Sequence, residues 1–479
     1  MFSADFTNMM NESPLIPLFE RWAQERPEQI TPLPESGSYR RYYRLTGATR
    51  SAIGAINTDR KENIAFLEFS RHFKQHGLTV PEIYAEDIEH DAYLLQDLGD
   101  ETLLSRLTRL RGHGEFPTDI IPLYKTILGE LPRFQIVAGR DLDYSVCYPR
   151  AAFDRQSILW DANYFKYYVL KFAKIPFDEQ ALEDDFQAFA DFLLSEEAHF
   201  FLYRDFQSRN IMLVDDVPYF IDYQGGRRGA LQYDVASLLY DAKAEIPQPV
   251  RGELVEHYLQ AISRYLQFDR PKFVERYHGY ALIRMMQAFG AYGFRGLYEK
   301  KAHFIQSIPP ALDNLRKFLD SVTLPVKLPA LMAALRDLTA SETLLALAAP
   351  PLTVSIFSFS FKRSLPVDAS GNGGGFVFDC RALPNPGRYP EYQHLTGKDD
   401  AVMRFLQDKP EIGDFLAHVF ALIDGAVNTY QCRHFSHLMV SFGCTGGRHR
   451  SVYCAERLAD HLRERGVNVA LRHIEQGRC

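Results

Sequence analysis

Tyr203-Arg204-Asp205-Phe206-Gln207-Ser208-Arg209-Asn210, followed by Ile221-Asp222, constrains this chain more than any other stretch. It sets an Asp, an Asn and a second Asp at fixed spacing around two short apolar runs. Ile211-Met212-Leu213-Val214 and Tyr219-Phe220-Ile221 read as strands flanking Asp215-Asp216-Val217-Pro218, a hairpin turn. A turn centred near Asp216 predicts that Asn210 lies directly across from Asp222, side by side at one hairpin end. Two oxygen donors then face one metal ion. A carboxylate that orients a hydroxyl proton, beside oxygen ligands for Mg²⁺, is the set of groups that phosphoryl transfer needs. Asp205 is therefore the candidate catalytic base, and Asn210 and Asp222 are the candidate metal ligands.

Other blocks agree with that reading. Ser36-Gly37-Ser38-Tyr39-Arg40-Arg41-Tyr42-Tyr43-Arg44 resembles the nucleotide loop of a kinase family, and Tyr93-Leu94-Leu95-Gln96-Asp97-Leu98-Gly99 resembles its hinge. Tyr233 to Asp241 follows as a helix, and Arg284 to Gly293 as another. In combination these segments resemble the aminoglycoside phosphotransferase-like kinases, over roughly residues 13 to 320. Within that group the chain is most similar to the anomeric kinases of N-acetylmuramate and N-acetylglucosamine. The resemblance implies an α+β, two-lobed protein-kinase-like domain that uses ATP and Mg²⁺. It also implies transfer of the γ-phosphoryl group to a sugar hydroxyl, the anomeric one, in cell-wall recycling. Tyr203 stands where the family usually has His, a position that packs and braces the loop.

On the nucleotide side, Gly37 and Ser38 are expected to bring backbone N–H groups to the phosphates, with charge from Arg40 or Arg41. The strand Ser51 to Asn57 lacks the lysine that protein kinases place there, so Arg40 or Arg41 is the expected replacement. Glu68, on a helix expected over Asn63 to His76, reads as either its partner or an ordinary surface residue. Backbone groups of Gln96 to Leu98 are expected against the adenine ring, and Asp234 is expected to brace the catalytic loop. Leu159 to Phe165 is read as the opening of a helix and resembles a segment near the sugar site. It offers Asp161 and Asn163 to the acceptor's hydroxyls, although Asp161 also fits a helix N-cap. Polycationic acceptors favour pockets with several carboxylates. None is visible here, which favours a neutral or anionic amino sugar.

At 479 residues the length prior is about three domain-sized units. Aromatics at 13% and charged residues at 24% fit a folded, soluble chain. Met1 to Phe6 does not read as a secretory signal, and the apolar stretch Leu344 to Leu352 is broken by Pro350 and Pro351. No membrane partner is expected. The six cysteines form no CxxC pair, which fits a reducing cytoplasm. The net charge of −7 hides an asymmetry: from residue 352 onward 15 Lys+Arg stand against 13 Asp+Glu, and before it 39 stand against 48. That split predicts two modules with different partners. The oligomeric state stays open, a homo-oligomer included.

The expected division is a kinase domain over 1–325, a linker over 326–351 holding one helix, Ala330 to Leu338, and a second domain over 352–479. Thr353 to Phe361 alternates as a half-buried strand would. His437 to Phe442 reads as a buried strand, and Val452 to Arg465 as a helix ended by Gly466. Between them Gly443 to Ser451 forms a glycine-rich turn at a helix start, the make-up of an anion site. Thr445, Gly446, Gly447, His449, Arg450 and Ser451 supply its donors. With Phe359 to Lys362, Val377 to Arg381, Leu383 to Pro386 and Leu395 to Asp399, this segment resembles the α/β C-terminal domain of the RapZ RNase adapters.

That resemblance implies binding of glucosamine-6-phosphate and of a small regulatory RNA. It places Asp379 on the sugar and Cys444 to Ser451 on the phosphate. The adapters carry a Walker A loop in their N-terminal half; this chain carries none. Cys444 to Arg450 also fits C-x5-R, the phosphate loop of cysteine phosphatases, but Gly443 replaces the usual His and no acid loop is evident. Three functions follow. The leading one is an amino-sugar kinase with a phosphosugar or phosphate sensor. The others are an RNA-binding adapter with a regulatory kinase half, and a kinase of aminoglycosides or other small alcohols.

Overall fold

The computed structural model describes residues 13–34, 40–111, 115–348, 352–368, 374–433 and 435–476. Two compact units divide the chain, Met1–Leu344 and Leu345–Cys479. The first begins with a five-stranded antiparallel sheet: β1 (Gln29–Pro32), β2 (Arg41–Thr46), β3 (Ser51–Ile56), β4 (Ile83–Asp87) and β5 (Ala92–Leu95), in the order β1-β2-β3-β5-β4. Helix Leu15–Ala23 closes one face, with Leu15, Leu18 and Phe19 in the core. Gly54 permits that approach, since a Cβ there would sit 2.7 Å from Leu15 and Leu45.

Helix Arg60–Gln75 crosses next to this sheet. Asp59 caps it by accepting the Glu62 N–H at 3.2 Å, and the helix starts three residues before the Asn63 expected from the sequence. Phe66, Phe69 and Phe73 repeat at helical spacing and bury one face. On that face Phe66 stacks on Tyr223, and the Ser70 hydroxyl meets the Tyr223 hydroxyl at 2.6 Å.

The rest of the unit is mainly helical, with two small two-stranded sheets. β6 (Phe200–Leu202) pairs with β9 (Arg227–Gly229), and β7 (Ile211–Val214) pairs with β8 (Val217–Phe220). The second turn is Asp215-Asp216, both at positive φ (50° and 64°), the left-handed pair of a type I′ hairpin. Its register corrects the sequence reading by one residue: Val214 faces Val217, and the N–H opposite Asn210 belongs to Ile221, not Asp222. Val217 and Pro218 are strand residues. The expected linker helix is Pro329–Thr339, and it is built into this unit. Leu331, Leu335 and Leu338 are buried, the Leu331 N–H donates to Asp185 at 2.8 Å, and Arg316 donates to the Thr339 carbonyl at 2.9 Å.

The second unit holds a four-stranded parallel sheet: β10 (Thr353–Ser360), β11 (Phe376–Asp379), β12 (His437–Cys444) and β13 (Asn468–His473), ordered β11-β12-β10-β13. β10 lies between two neighbours and is buried on both faces at its end, through Ser358, Phe359 and Ser360, rather than half-buried. In register, Ser360 faces Cys444 and Asp379 faces Gly443. Three strands therefore deliver their C-terminal ends to one place, where ligands of parallel sheets gather. Among the described residues no helix is long and apolar enough to cross a membrane.

Candidate active site

Asp205 sits in a loop whose backbone is held from below. The Asp234 carboxylate accepts the N–H groups of Tyr203 at 2.9 Å and Arg204 at 3.1 Å, and the Gln135 amide at 2.8 Å. Burial pushes the Asp234 carboxyl up to about 7 against those three donors. Tyr203, wholly buried, spans from this loop to the Ile221 carbonyl at 2.6 Å. Arg204 takes a left-handed backbone, φ 80°, and its guanidinium meets Asp161 through two bonds of 2.8 and 2.7 Å. A non-glycine residue at such φ is held only where its surroundings fix it. Asp205 projects from this frame with 35% of its side chain exposed, 3.8 Å from the Arg284 guanidinium.

The hairpin supplies the other two groups. Asn210 donates its amide to the Asp205 carbonyl at 2.8 Å and to Asp222 at 2.9 Å, which leaves its oxygen as the donor atom for a cation. Asp222, at φ 71°, turns the chain so that its carboxylate swings beside Asn210 despite the one-residue register offset. Burial raises the Asp222 carboxyl, and the negative charge of Asp205 raises it further. Gln224 donates to Asp222 at 2.8 Å, while its own oxygen is buried without a hydrogen-bond partner. The Asn210 amide oxygen and the Asp222 carboxylate are hard oxygen donors of the kind that fits a divalent cation such as Mg²⁺.

Behind this cluster runs a charge relay. Gln224 reaches Glu62 at 3.4 Å, Glu62 pairs with Arg40 at 3.1 Å, and Asn57 donates to Glu62 at 2.9 Å. Because Arg41 faces Ile56 across the ladder, Arg40 stands next to Asn57. The buried cation has thus moved one strand over from the place where a lysine was sought. Its partner is Glu62; Glu68 pairs with Arg71 instead.

Several expectations are corrected. Asp161 does not open its helix: that helix is Arg155–Phe165, and Asp154 is the N-cap. Each Asp161 oxygen accepts one bond from Arg204, a bidentate pair that braces the loop leading to Asp205. Asn163 donates its amide to the Leu159 carbonyl at 2.9 Å, within its own helix. Arg41 is exposed on β2, unlike buried Arg40. At the hinge the Gln96 N–H already donates to the Glu82 carbonyl at 2.8 Å, and Leu98 is buried. Gly37 and Ser38 lie outside the described residues.

In the second unit, β12 runs through Cys444 into the loop that starts helix Arg450–Glu464. Gly447 adopts φ 67°, and a Cβ there would sit 3.0 Å from the backbone of Phe359 and Ser360. The Cys444 sulfur lies 3.2 Å from both the Gly447 N–H donor and the Ser451 hydroxyl. Burial alone would raise this thiol; Ser451, Gly447 and Arg450 overcome it and hold it below its ordinary range. One amine of Arg450 is anchored on the carbonyls of Arg381 (2.7 Å) and Leu383 (3.0 Å), and a second reaches Thr445 at 3.5 Å. Its Nε is buried without a hydrogen-bond partner, on the edge from which arginine forks onto oxyanions. Thr445 and Gly446 are exposed, and their N–H groups donate to no described residue. His449 meets the Tyr392 carbonyl at 2.9 Å, while Asp379 is occupied by Arg381.

Comparison with known proteins follows the same division. The model of the phosphotransferase enzyme family matches residues 29–272, more than half of the chain. The chain belongs to this family. Its first unit is a kinase-like α+β domain of a phosphotransferase, and residues 352–477 match the RapZ C-terminal domain. A nucleotide-binding protein of Halorhodospira halophila is 44% identical over 124 residues, 26% of this chain and 42% of that protein. The RNase adapter protein RapZ of Yersinia pseudotuberculosis is 42% identical over 122 residues, 26% of this chain and 41% of that protein. The phosphotransferase thus spans about two-fifths of the length of these curated relatives.

Among solved structures, an apo aminoglycoside phosphotransferase APH(4)-Ia is 15% identical with a TM-score of 0.42, covering 64% of this chain and all of that one. A choline kinase of Cryptosporidium parvum is 12% identical with a TM-score of 0.46, covering 67% and 99%. In this phosphotransferase, Glu62 and Gln224 are the site residues that motif reading missed. Gln224 lies only two residues beyond Asp222, so its proximity was the available signal.

Proposed function

We propose that the protein transfers the γ-phosphoryl group of ATP to a hydroxyl of an amino sugar. The anomeric hydroxyl of N-acetylmuramate or N-acetylglucosamine is the acceptor, in the recycling of cell-wall sugars within the cytoplasm. The convergence of Asp205, Asn210 and Asp222 at one hairpin end carries this reading. Asp205 accepts the hydrogen bond of the acceptor hydroxyl and orients its oxygen for in-line attack. Asn210 and Asp222 would hold Mg²⁺, which supplies positive charge against the phosphate oxygens when bound. Arg40, fixed by Glu62, adds charge on the nucleotide side, with Gly37, Ser38 and the Gln96–Leu98 hinge around ATP. The choice of an amino sugar is supported by the motif resemblance. ³¹P and proton NMR of products from N-acetylmuramate, N-acetylglucosamine and kanamycin tests it. A new anomeric phosphate on either amino sugar is expected, and phosphorylation of kanamycin alone would sink the reading.

The second unit is proposed as a phosphosugar sensor, with glucosamine-6-phosphate as the ligand. The buried, unpartnered Nε of Arg450 beside the exposed Thr445–Gly446 turn supports an oxyanion there. Binding is favoured over phosphatase chemistry. Although the Cys444 thiol is held below its ordinary range, Asp379 at the end of the neighbouring strand is paired with Arg381, which holds its carboxyl low and makes it a poor proton donor. The likeness to RapZ favours one other reading, RNA binding by this unit. Salt-dependent affinity for RNA, centred on residues 352–479 and unaffected by the kinase reaction, would replace the sensor.

A further inference from the structure

Helix Arg60–Gln75 ends on a pair of imidazoles. His72 lies in its last turn and His76 is its C-cap, four residues apart and so on one face. Their ring centroids are 4.4 Å apart. Asp141, which follows the helical turn Ala138–Arg140, faces both. Its Oδ1 lies 3.7 Å from His72 Nε2 and 3.2 Å from His76 Nε2. The ligand atoms of the three side chains all lie within 4.8 Å of one another. Around a tetrahedral zinc ion with bonds of about 2.0–2.1 Å, ligand atoms sit about 3.3 Å apart, so small side-chain shifts close this group on one ion.

The backbone prepares the imidazoles for a metal. A carbonyl only accepts, so His76 donates its Nδ1–H to the His72 carbonyl at 3.0 Å. That bond leaves the lone pair of neutral His76 on Nε2, the atom nearest Asp141. His72 Nε2 meets the Ala138 carbonyl at 2.7 Å. An ion bound at this nitrogen displaces the proton of that bond and has the carbonyl oxygen as a fourth neighbour. The negative end of the helix dipole also favours a cation here. One cation is close by: Arg133 donates to the His76 and Gly77 carbonyls at 3.1 and 3.2 Å, and Glu130 balances its charge at 2.6 Å. Asp141 is 65% exposed, so an ion has a path in.

We propose that His72, His76 and Asp141 form a binding site for a divalent transition-metal ion of the zinc class, through two nitrogens and one oxygen. Imidazole suits Zn²⁺, whereas the oxygen donors Asn210 and Asp222 suit Mg²⁺, so ligand chemistry sorts the two ions. The bound ion ties the end of the helix to the Ala138–Arg140 turn. The first turn of the same helix carries Glu62, the partner of Arg40. This site goes beyond the kinase reading and needs neither substrate nor turnover.

Calorimetric titration of the full-length protein with Zn²⁺, in excess Mg²⁺ to fill oxygen sites, tests it. One zinc ion per chain is expected to bind through this group. His76→Ala and His72→Ala should each weaken its affinity about tenfold or more, and Asp141→Asn should weaken it less. His90→Ala, at an exposed histidine paired with Asp87 elsewhere, should leave it unchanged. Should His72→Ala fail to fold without its bond to Ala138, the exposed-end variant His76→Ala decides alone. Thermal melts give a second reading: Zn²⁺ should raise the melting temperature of wild type and not that of His76→Ala. Equal zinc affinity in wild type and both histidine variants would overturn the proposal. So would a wild-type affinity weaker than about 1 mM, which would leave the group as an ion pair between His76 and Asp141.

Discussion

At the scale of single residues, the catalytic loop is held by charges that do no chemistry themselves. Removing the proposed base tests the chemistry: Asp205→Asn should lower kcat by about 10²–10⁴-fold with an unchanged melting temperature. Removing a brace tests the frame. The Arg204–Asp161 pair is nearly enclosed, with side chains 14% and 9% exposed. Asp161→Asn leaves the guanidinium buried without a counter-charge and should cost about 3–5 kcal/mol in urea unfolding. A loss below ~1 kcal/mol would mean that solvent reaches this pair after all. Asp234 predicts a pH dependence. Its folded value of about 7 lies above the ordinary 3.8, so the native state holds a proton that the unfolded chain releases. Its contribution to stability is full below the unfolded value and is lost as pH rises through about 7. Wild-type protein should therefore lose more stability between pH 5 and 8 than Asp234→Asn does; parallel slopes would refute the burial argument.

At the scale of elements, two turns aim the functional groups. Asp215-Asp216 closes a two-residue hairpin, so Ile221 rather than Asp222 faces Asn210, and the positive φ of Asp222 then restores the pairing of side chains. Counting residues located the neighbours but not the half-turn that joins them, because a register slip of one changes which face a side chain occupies. In the second unit, Gly397 packs against the loop proposed to hold a phosphate. Its N–H donates to the Arg448 carbonyl at 2.8 Å, and a Cβ would lie 2.2 Å from the His449 carbonyl oxygen. Gly397→Ala must push the loop away from its strand. Calorimetry should show weaker binding of glucosamine-6-phosphate than in wild type, with kinase turnover in the absence of that ligand preserved.

At the scale of the molecule, the boundary between units decides how the chain can be cut. Helix Pro329–Thr339 buries Leu331, Leu335 and Leu338, each contributing about 1.5–3 kcal/mol. A fragment of residues 1–344 should melt cooperatively near the full-length value, whereas 1–325 should melt lower; equal melts would return that helix to a linker. If the second unit senses phosphosugar and favours one state of the kinase, the two sites share a coupling free energy. Glucosamine-6-phosphate should then change the turnover of full-length protein and leave that of 1–344 unaltered. Equal effects on both would remove the coupling.

Local pattern by itself determined the elements and the chemistry class. Period-two and period-3.6 burial and glycines at 447 and 466 are properties of short segments, and they are legible because their physics is local. Only the tertiary structure decided which charges meet. Arg40 finds Glu62 across a strand and a helix, Asp161 is taken by Arg204 some forty residues on, and Lys243 faces Arg209 inside one cavity. Whether a carboxylate binds a substrate or braces a loop depends on what desolvates and neutralises it. That neighbour lies far along the chain, at a distance that no spacing encodes.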